Sequence, residues 1–387
     1  GIVVLTLVSF NAAFASNIKS VIKSNENTTT KEDRNIYPFI YFDLAMEGFY
    51  DKMKVDGGGW QDRFSTEGTL LIDINLNQNF GIRSKSKIEK IKGEPQNSLI
   101  LFDNDYLKRY ESPFFGTSLT TQELSLFFRF DRASFFLGKI EPKFGAGSER
   151  RSDIFYEDWY GISGTKINSS YDLDEKLGIS AKIHALDSDN AKVVFEASLF
   201  KNDSSNLYKK PFFEKRQIMD FVTPFTDTRV AGDKLSHALS IQGFVSLTRR
   251  DVVSFGIAYK HQASDKYSTE RGVVFDGQYT RTFFDDLTLS LFSEAAFIEN
   301  AYAISGVREK FLTNGISSSF AGFKIGAVKN NYRIKMQDAE PRLKALEYFV
   351  GFEIPKTELG FFINYKQQDI NSSDYSGFGL NVRYRIR

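Results

Sequence analysis

Apolar and polar residues alternate along most of this chain, in runs broken by turn-forming or long polar stretches. The unit is plainest from Glu123 to Gly147, ELSLFFRFDRASFFLGKIEPKFGAG. Leu124, Leu126, Phe128 and Phe130 fall on one side of an extended backbone and Ser125, Phe127, Arg129 and Asp131 on the other, because strand side chains alternate. Only Arg132 and Ala133 separate this run from a second, Ser134 to Glu141, so the two read as a hairpin that Pro142 ends. A long polar loop follows.

The rest of the chain repeats the unit. Strands are predicted over Pro38–Phe49, Phe64–Leu76 and Phe80–Lys92 before the hairpin. After it come Leu177–Leu186, Ala191–Lys201, His237–Leu247, Asp251–Gln262, Gly272–Phe283, Leu287–Ile298, Phe311–Phe320, Phe323–Ile334, Ala345–Ile354, Glu358–Gln368 and Gly377–Arg387. Tight turns such as Asn77-Gln78, Asp187 to Asn190 and Ala321-Gly322 alternate with long connections. About sixteen strands, near the typical membrane-strand length of roughly 9 to 11 residues, predict an all-β fold: a transmembrane antiparallel up-and-down barrel with short periplasmic turns and long outer loops. Both ends of the chain then fall on the short-turn side. A soluble solenoid would show a fixed repeat length, which these loops do not.

Composition agrees with this reading. The chain has 387 residues with 38 Phe and 18 Tyr against 2 Trp, and aromatic residues suit both strands and interfacial girdles. No run approaches the roughly 20 apolar residues of a spanning helix. The formal charge is +1 with both signs interspersed, so a nucleic-acid partner lacks its electrostatic footprint. Residues 1–15 read as part of a signal peptide, with Ala13-Phe14-Ala15 as the small-x-small site before Ser16 and the basic n-region missing. Residues 16–36 read as a mobile periplasmic segment and 37–387 as the barrel. With no cysteine, the fold cannot depend on disulfides.

Parity assigns the inner face, because a cation facing lipid at the midplane costs about 2 to 4 kcal/mol. Asp73, Arg83, Lys85, Lys87, Glu89, Arg129, Lys182, Lys192, Glu196, Lys260, Glu294, Glu347, Glu353 and Arg383 are expected inside. In the hairpin's second strand both faces are apolar up to Lys139; Lys139 is placed inward, beside Phe135 and Leu137, with Phe136 and Ile140 outward. Barrels of about sixteen strands leave an aqueous channel, whereas those of about eight are filled by side chains. Arg83, Lys85, Lys87, Arg129 and Lys139 form the expected basic wall. The third outer loop, 143–176, carries Glu149, Asp153, Glu157 and Asp158. Folded inward, it would set an acidic loop against that wall and constrict the pore. Phe127, Phe200, Phe244, Phe292, Phe349 and Phe362 share inner parity. They could form a stacking track for a flat solute or pack beneath an inserted loop.

No catalytic constellation occurs. His184, His237 and His261 are scattered, and no HExxH motif, nucleophile elbow or cysteine-based site is present, so neither an enzyme nor a cofactor is expected.

The run LGKIEPKFGAGSE from Leu137 to Glu149, with DLDEKLG at Asp172–Gly178 and SLFKNDSSNL at Ser198–Leu207, resembles a set of porin-like outer-membrane proteins from alphaproteobacteria. The resemblance implies a porin-type barrel in the outer membrane, among lipid and lipopolysaccharide. It is more distantly similar to general porins, which implies a homotrimer and makes 143–176 the pore-narrowing loop. The chain departs from the pattern at its end, Tyr384-Arg385-Ile386-Arg387, where a terminal aromatic is usual. A passive channel for small hydrophilic solutes and ions is the expected function. A solute-specific channel and a non-conducting surface or adhesion barrel are the alternatives.

Overall fold

The computed structural model describes residues 37–55, 59–90, 117–145, 173, 176–202, 234–264, 268–284, 287–337, 340–354, 357, 359–370 and 373–386. The strands are β1 Phe39–Val55, β2 Trp60–Asn75, β3 Phe80–Lys90, β4 Thr117–Arg129, β5 Ala133–Ile140, β6 Lys176–Ser188, β7 Ala191–Asn202 and β8 Ser236–Ser246. They continue as β9 Asp251–Gln262, β10 Glu270–Phe284, β11 Leu287–Glu299, β12 Arg308–Phe320, β13 Phe323–Lys335, β14 Arg342–Ile354, β15 Leu359–Ile370 and β16 Ser373–Ile386. Each pairs antiparallel with its sequence neighbours, and β1 pairs with β16, giving the closed up-and-down barrel of sixteen strands that the alternation predicts.

Several strands run further than expected, and two connections shorten as a result. β1 runs on to Val55 and β2 begins at Trp60, so their connection shrinks to 56–59; β15 and β16 are joined through 371–372 alone. Polar residues such as Asp51 and Asp369 hid these extensions, since they pair in the sheet without an apolar rhythm to mark them. The long connections, 91–116, 141–175 and 203–235, share one end of the barrel, and the tight turns occupy the other.

The turns follow from their residues. Asn77 Oδ1 accepts hydrogen bonds from the backbone N–H groups of Asn79 and Phe80, both at 2.8 Å, an Asx turn that brings β3 back along β2. Ala321 and Gly322 have φ of 49° and 88°, the positive pair that a two-residue type I′ hairpin turn needs between β12 and β13.

Face assignment follows the alternation. Leu126, Phe128, Leu137, Ile179, Leu199, Ile257, Val350 and Ile363 are exposed outside, forming an apolar band, while Ser125, Ser198, Ser240, Thr313, Asn364 and Asn381 are buried inside. β5 corrects the expectation for its two faces. Phe135 and Leu137 point outward, Phe136 is buried inside, and both Lys139 and Ile140 are buried. The break lies at Gly138, whose φ of 133° no L side chain adopts easily and where a Cβ would lie 2.6 Å from the Leu124 carbonyl oxygen. Strict period-two counting fails across such a residue. Replacing Gly138 with Ala is therefore expected to lower the unfolding free energy of the folded barrel by about 1–3 kcal/mol, measured as a lower urea midpoint.

Candidate functional site

The inner face of β2 to β7 is laced with ion pairs. Asp73 on β2 accepts two hydrogen bonds from Arg83 on β3, at 2.8 and 2.7 Å, and one from Arg129 on β4 at 3.2 Å. Arg129 also donates to Asn75 Oδ1 at 3.1 Å, and its guanidinium carbon stands 4.1 Å from the centre of the Phe127 ring. Lys182 on β6 pairs with Glu196 on β7 at 3.3 Å, and Ser180 donates to the same carboxylate. Across the seam where the first and last strands meet, Arg385 on β16 grips Asp43 on β1 with two hydrogen bonds of 3.1 and 2.8 Å.

These pairs share one asymmetry. The cationic side chains of Arg83, Lys85, Arg129, Lys182 and Arg385 keep 20–37% of their surface exposed, whereas their carboxylate partners Asp43, Asp73, Glu141 and Glu196 keep only 2–8%. The guanidinium and ammonium groups thus present the reachable charge. Lys139 on β5 is 5% exposed and is paired with the outward-facing Leu124 and Leu177, so it adds no reachable charge to this wall. Lys87 lies on β3 with its side chain outside the described residues, as do Glu149, Asp153, Glu157 and Asp158 of the loop.

Opposite this wall the inner carboxylates differ in exposure: Glu294 and Glu347 are buried, Asp276 and Glu353 half-buried. Asp276 on β10 and Glu294 on β11 are direct cross-strand neighbours, and Glu294 is 2% exposed. Glu347 on β14 is buried and accepts a hydrogen bond from Asn364 Nδ2 at 2.7 Å. Lys260 on β9, also buried, is held by Glu270 at 2.8 Å.

The entry to the third outer connection joins the two sides. After β5 ends, Glu141 takes an ion pair from Lys85 on β3, and Pro142, Lys143, Phe144 and Gly145 are all buried. The Phe144 ring reaches β9 and β10: Lys260 Nζ lies 4.8 Å from its centre, and a Cβ at Gly272 would come 2.8 Å from its edge. β3 and β10 stand seven strands apart in the ring of sixteen, so Glu141 to Phe144 acts as a strap across the interior. Leu173, at the far end of the same connection, is fully buried in the same apolar cluster as Phe144, Val274, Ala296 and Phe311. Sequence reading placed this stretch at the loop's entry but did not single out Glu141 or Phe144. Their signal was a Pro that stops a strand, flanked by a charge and a ring.

The inner phenylalanines lie against glycines. Phe127 is paired directly with Gly81, Phe349 with Gly326 and Phe362 with Gly351, and a Cβ at any of those glycines would strike the ring. A ring laid over a missing side chain stays close to the wall instead of projecting inward. Phe127 and Phe200 are buried in the inner cluster, whereas Phe244 and Phe349 are only partly covered. Among the described residues no group of three or more His, Asp or Glu is placed to hold a metal ion.

No family model matches the sequence, and no curated protein matches it. Solved structures do match by fold. OprB of Pseudomonas putida is similar at a TM-score of 0.57 and 13% identity, covering 90% of this chain and 94% of that one. OmpT of Vibrio cholerae, an outer-membrane protein solved in a trimer form, aligns at a TM-score of 0.48 and 9% identity over 90% of this chain and 99% of its own. The closed sixteen-strand barrel with an outward apolar band is an outer-membrane fold, and the chain is a protein of that membrane.

Phe144→Ala removes a fully buried ring from the strap. We expect it to cost about 3–5 kcal/mol of stability and to open the Lys143–Phe144 stretch to trypsin, with cleavage after Lys143 mapped by mass spectrometry.

Proposed function

We propose that the chain is a narrow, water-filled channel for passive diffusion of small hydrophilic solutes, favouring anions, with 143–176 constricting the pore. The observation that carries this reading is the asymmetry of the inner ion pairs: reachable cations backed by covered carboxylates. An anion entering along β3 to β6 meets Arg83, Arg129 and Lys182, while Glu294 and Glu347 are buried. Charge on a low-dielectric wall focuses the field into the lumen and sets ion preference. The strap from Glu141 to Phe144 supports an inserted third loop, with Glu149, Asp153, Glu157 and Asp158 then disposed opposite the basic wall as its counter-charge.

A wet interior is supported by the 20–37% exposure of the inner cations, whose charge needs water about it. The rings laid on glycines argue against a projecting track for flat solutes. The kinship to alphaproteobacterial porin-like proteins, assembly as a homotrimer and processing before Ser16 belong to the same proposal.

Planar-bilayer recording tests it. The purified protein should give discrete conductance steps, with a reversal potential in a KCl gradient that marks chloride as the more permeant ion. Changing both Arg83 and Arg129 to Gln should cut the chloride preference severalfold. Absence of steps would overturn the channel, and a cation-selective reversal potential would overturn the anion preference.

A further inference from the structure

The outer surface carries a charge arrangement that the channel does not use. On the outward face of β12, β13 and β14, toward the end with the long connections, stand Arg308, Lys310, Arg333, Lys335, Arg342 and Lys344. All six are exposed, and among the described residues the outward positions of these three strands include no carboxylate. Register sets like charges face to face: Arg308 opposite Lys335, Lys310 opposite Arg333, and Arg333 opposite Arg342. Directly opposed like charges destabilise a sheet. Glu299 on β11 stands directly opposite Arg308, Glu340 lies 3.8 Å from Arg333 and Asp369 4.0 Å from Lys344, so carboxylates offset part of this repulsion. Among the described residues three carboxylates neighbour six cations, so the patch keeps a net positive charge.

The position of the patch identifies what offsets the repulsion. Nearer the middle of the same strands, Ile316, Ile325, Tyr348 and Val350 face outward in the apolar band, so the cations stand at its upper edge. In the orientation of an outer-membrane barrel, with long connections outside, that edge is the headgroup level of the outer leaflet. A ligand that fits must present several closely spaced anionic groups at headgroup height and acyl chains along the band below. A second copy of this face would repel it, which makes the patch unsuited to a symmetric contact with itself.

We propose that the outward face of β12 to β14 binds the phosphate groups of a phosphorylated outer-leaflet lipid, with Arg308, Lys310, Arg333 and Arg342 as the cradle and lipid A as the ligand chemistry. Arginine forks suit phosphate oxygens bidentately, and clustered basic side chains at a membrane surface favour anionic headgroups. The inference rests on the outer-membrane orientation used above but not on conduction. A barrel that binds lipid A and passes no current would therefore overturn the channel alone.

The test uses the full chain folded in detergent micelles, titrated with diphosphoryl lipid A, with the same lipid stripped of its phosphates, and with inorganic phosphate as competitor. Diphosphoryl lipid A should bind, and the combined change Arg308→Gln, Lys310→Gln and Arg333→Gln should weaken it on the order of 10- to 100-fold. Arg281→Gln, at an exposed outward site near the tight-turn end, should leave it unchanged. In lipid-free micelles the triple variant should be at least as stable as the parent, because it relieves like-charge repulsion, and this separates loss of binding from loss of fold. Equal binding by the triple variant or by the phosphate-free lipid would overturn the proposal. Full displacement by equimolar inorganic phosphate would overturn it too, by showing a site for free phosphate.

Discussion

Every backbone N–H and C=O in the hydrocarbon layer must find a partner within the protein, and for strands only closure supplies one at every position. The whole architecture depends on the seam between β1 and β16, where residues from Leu44 to Val55 pair with Ile386 back to Tyr375. The first and last strands must be held there against fraying. The Asp43–Arg385 fork does this from the inner face, joining residues 342 apart in sequence close to the open ends of both strands. The same pair adds Arg385 to the reachable cations inside, so one contact serves both closure and the character of the lumen.

Closure also fixes what the interior can be. A ring of sixteen strands is too wide to fill with wall side chains alone, and this chain divides its interior unevenly. One side holds cations against sunken carboxylates and keeps them in reach of solvent. The other buries Glu294 and Glu347 and carries most of the apolar cluster that takes up Phe144 and Leu173. Glycines opposite phenylalanines thin the wall locally and hold the rings down. The strap from Lys85 through Glu141 to Phe144 and Lys260 then links the two sides. In this arrangement a loop residue near the chain's first third depends on a lysine from β9, which explains why the loop's anchorage cannot be seen in any one segment.

Much of the fold was legible from sequence because lipid enforces the period-two rhythm. Leu126 and Phe128 outside, Phe127 and Arg129 inside, follow from alternation alone. So do the sixteen strands, since a strand in a membrane barrel has no freedom to slip by one residue without turning its charges to lipid. Legibility failed where local backbone chemistry overrode the count. Gly138 reverses the expectation for Phe136 and Ile140 because its φ lies outside the reach of other residues. The extensions of β1, β2 and β15 were hidden because strand ends near the aqueous boundary need no apolar face. Within the candidate site, Arg83, Lys85 and Arg129 could be named from parity and charge, whereas Lys139 shares its parity with the outward Phe135 and Leu137 and is buried. Their partners could not, because the ion pairs depend on cross-strand register and, for Glu141, on a chain reversal that no spacing encodes.

The central claim is that water meets a cationic inner wall on β3 to β6 while lipid meets the alternate residues. Since the chain has no cysteine, single cysteines report this directly. In protein reconstituted in a bilayer, Lys182→Cys and Ile183→Cys place a thiol on the inner and outer faces of β6 at adjacent positions. A membrane-impermeant, negatively charged thiol reagent should modify the cysteine at 182 rapidly, faster than its positively charged counterpart does, and lower the current. The cysteine at 183 should stay shielded. Equal reaction at both positions, or modification at 182 that leaves the current unchanged, would contradict the account.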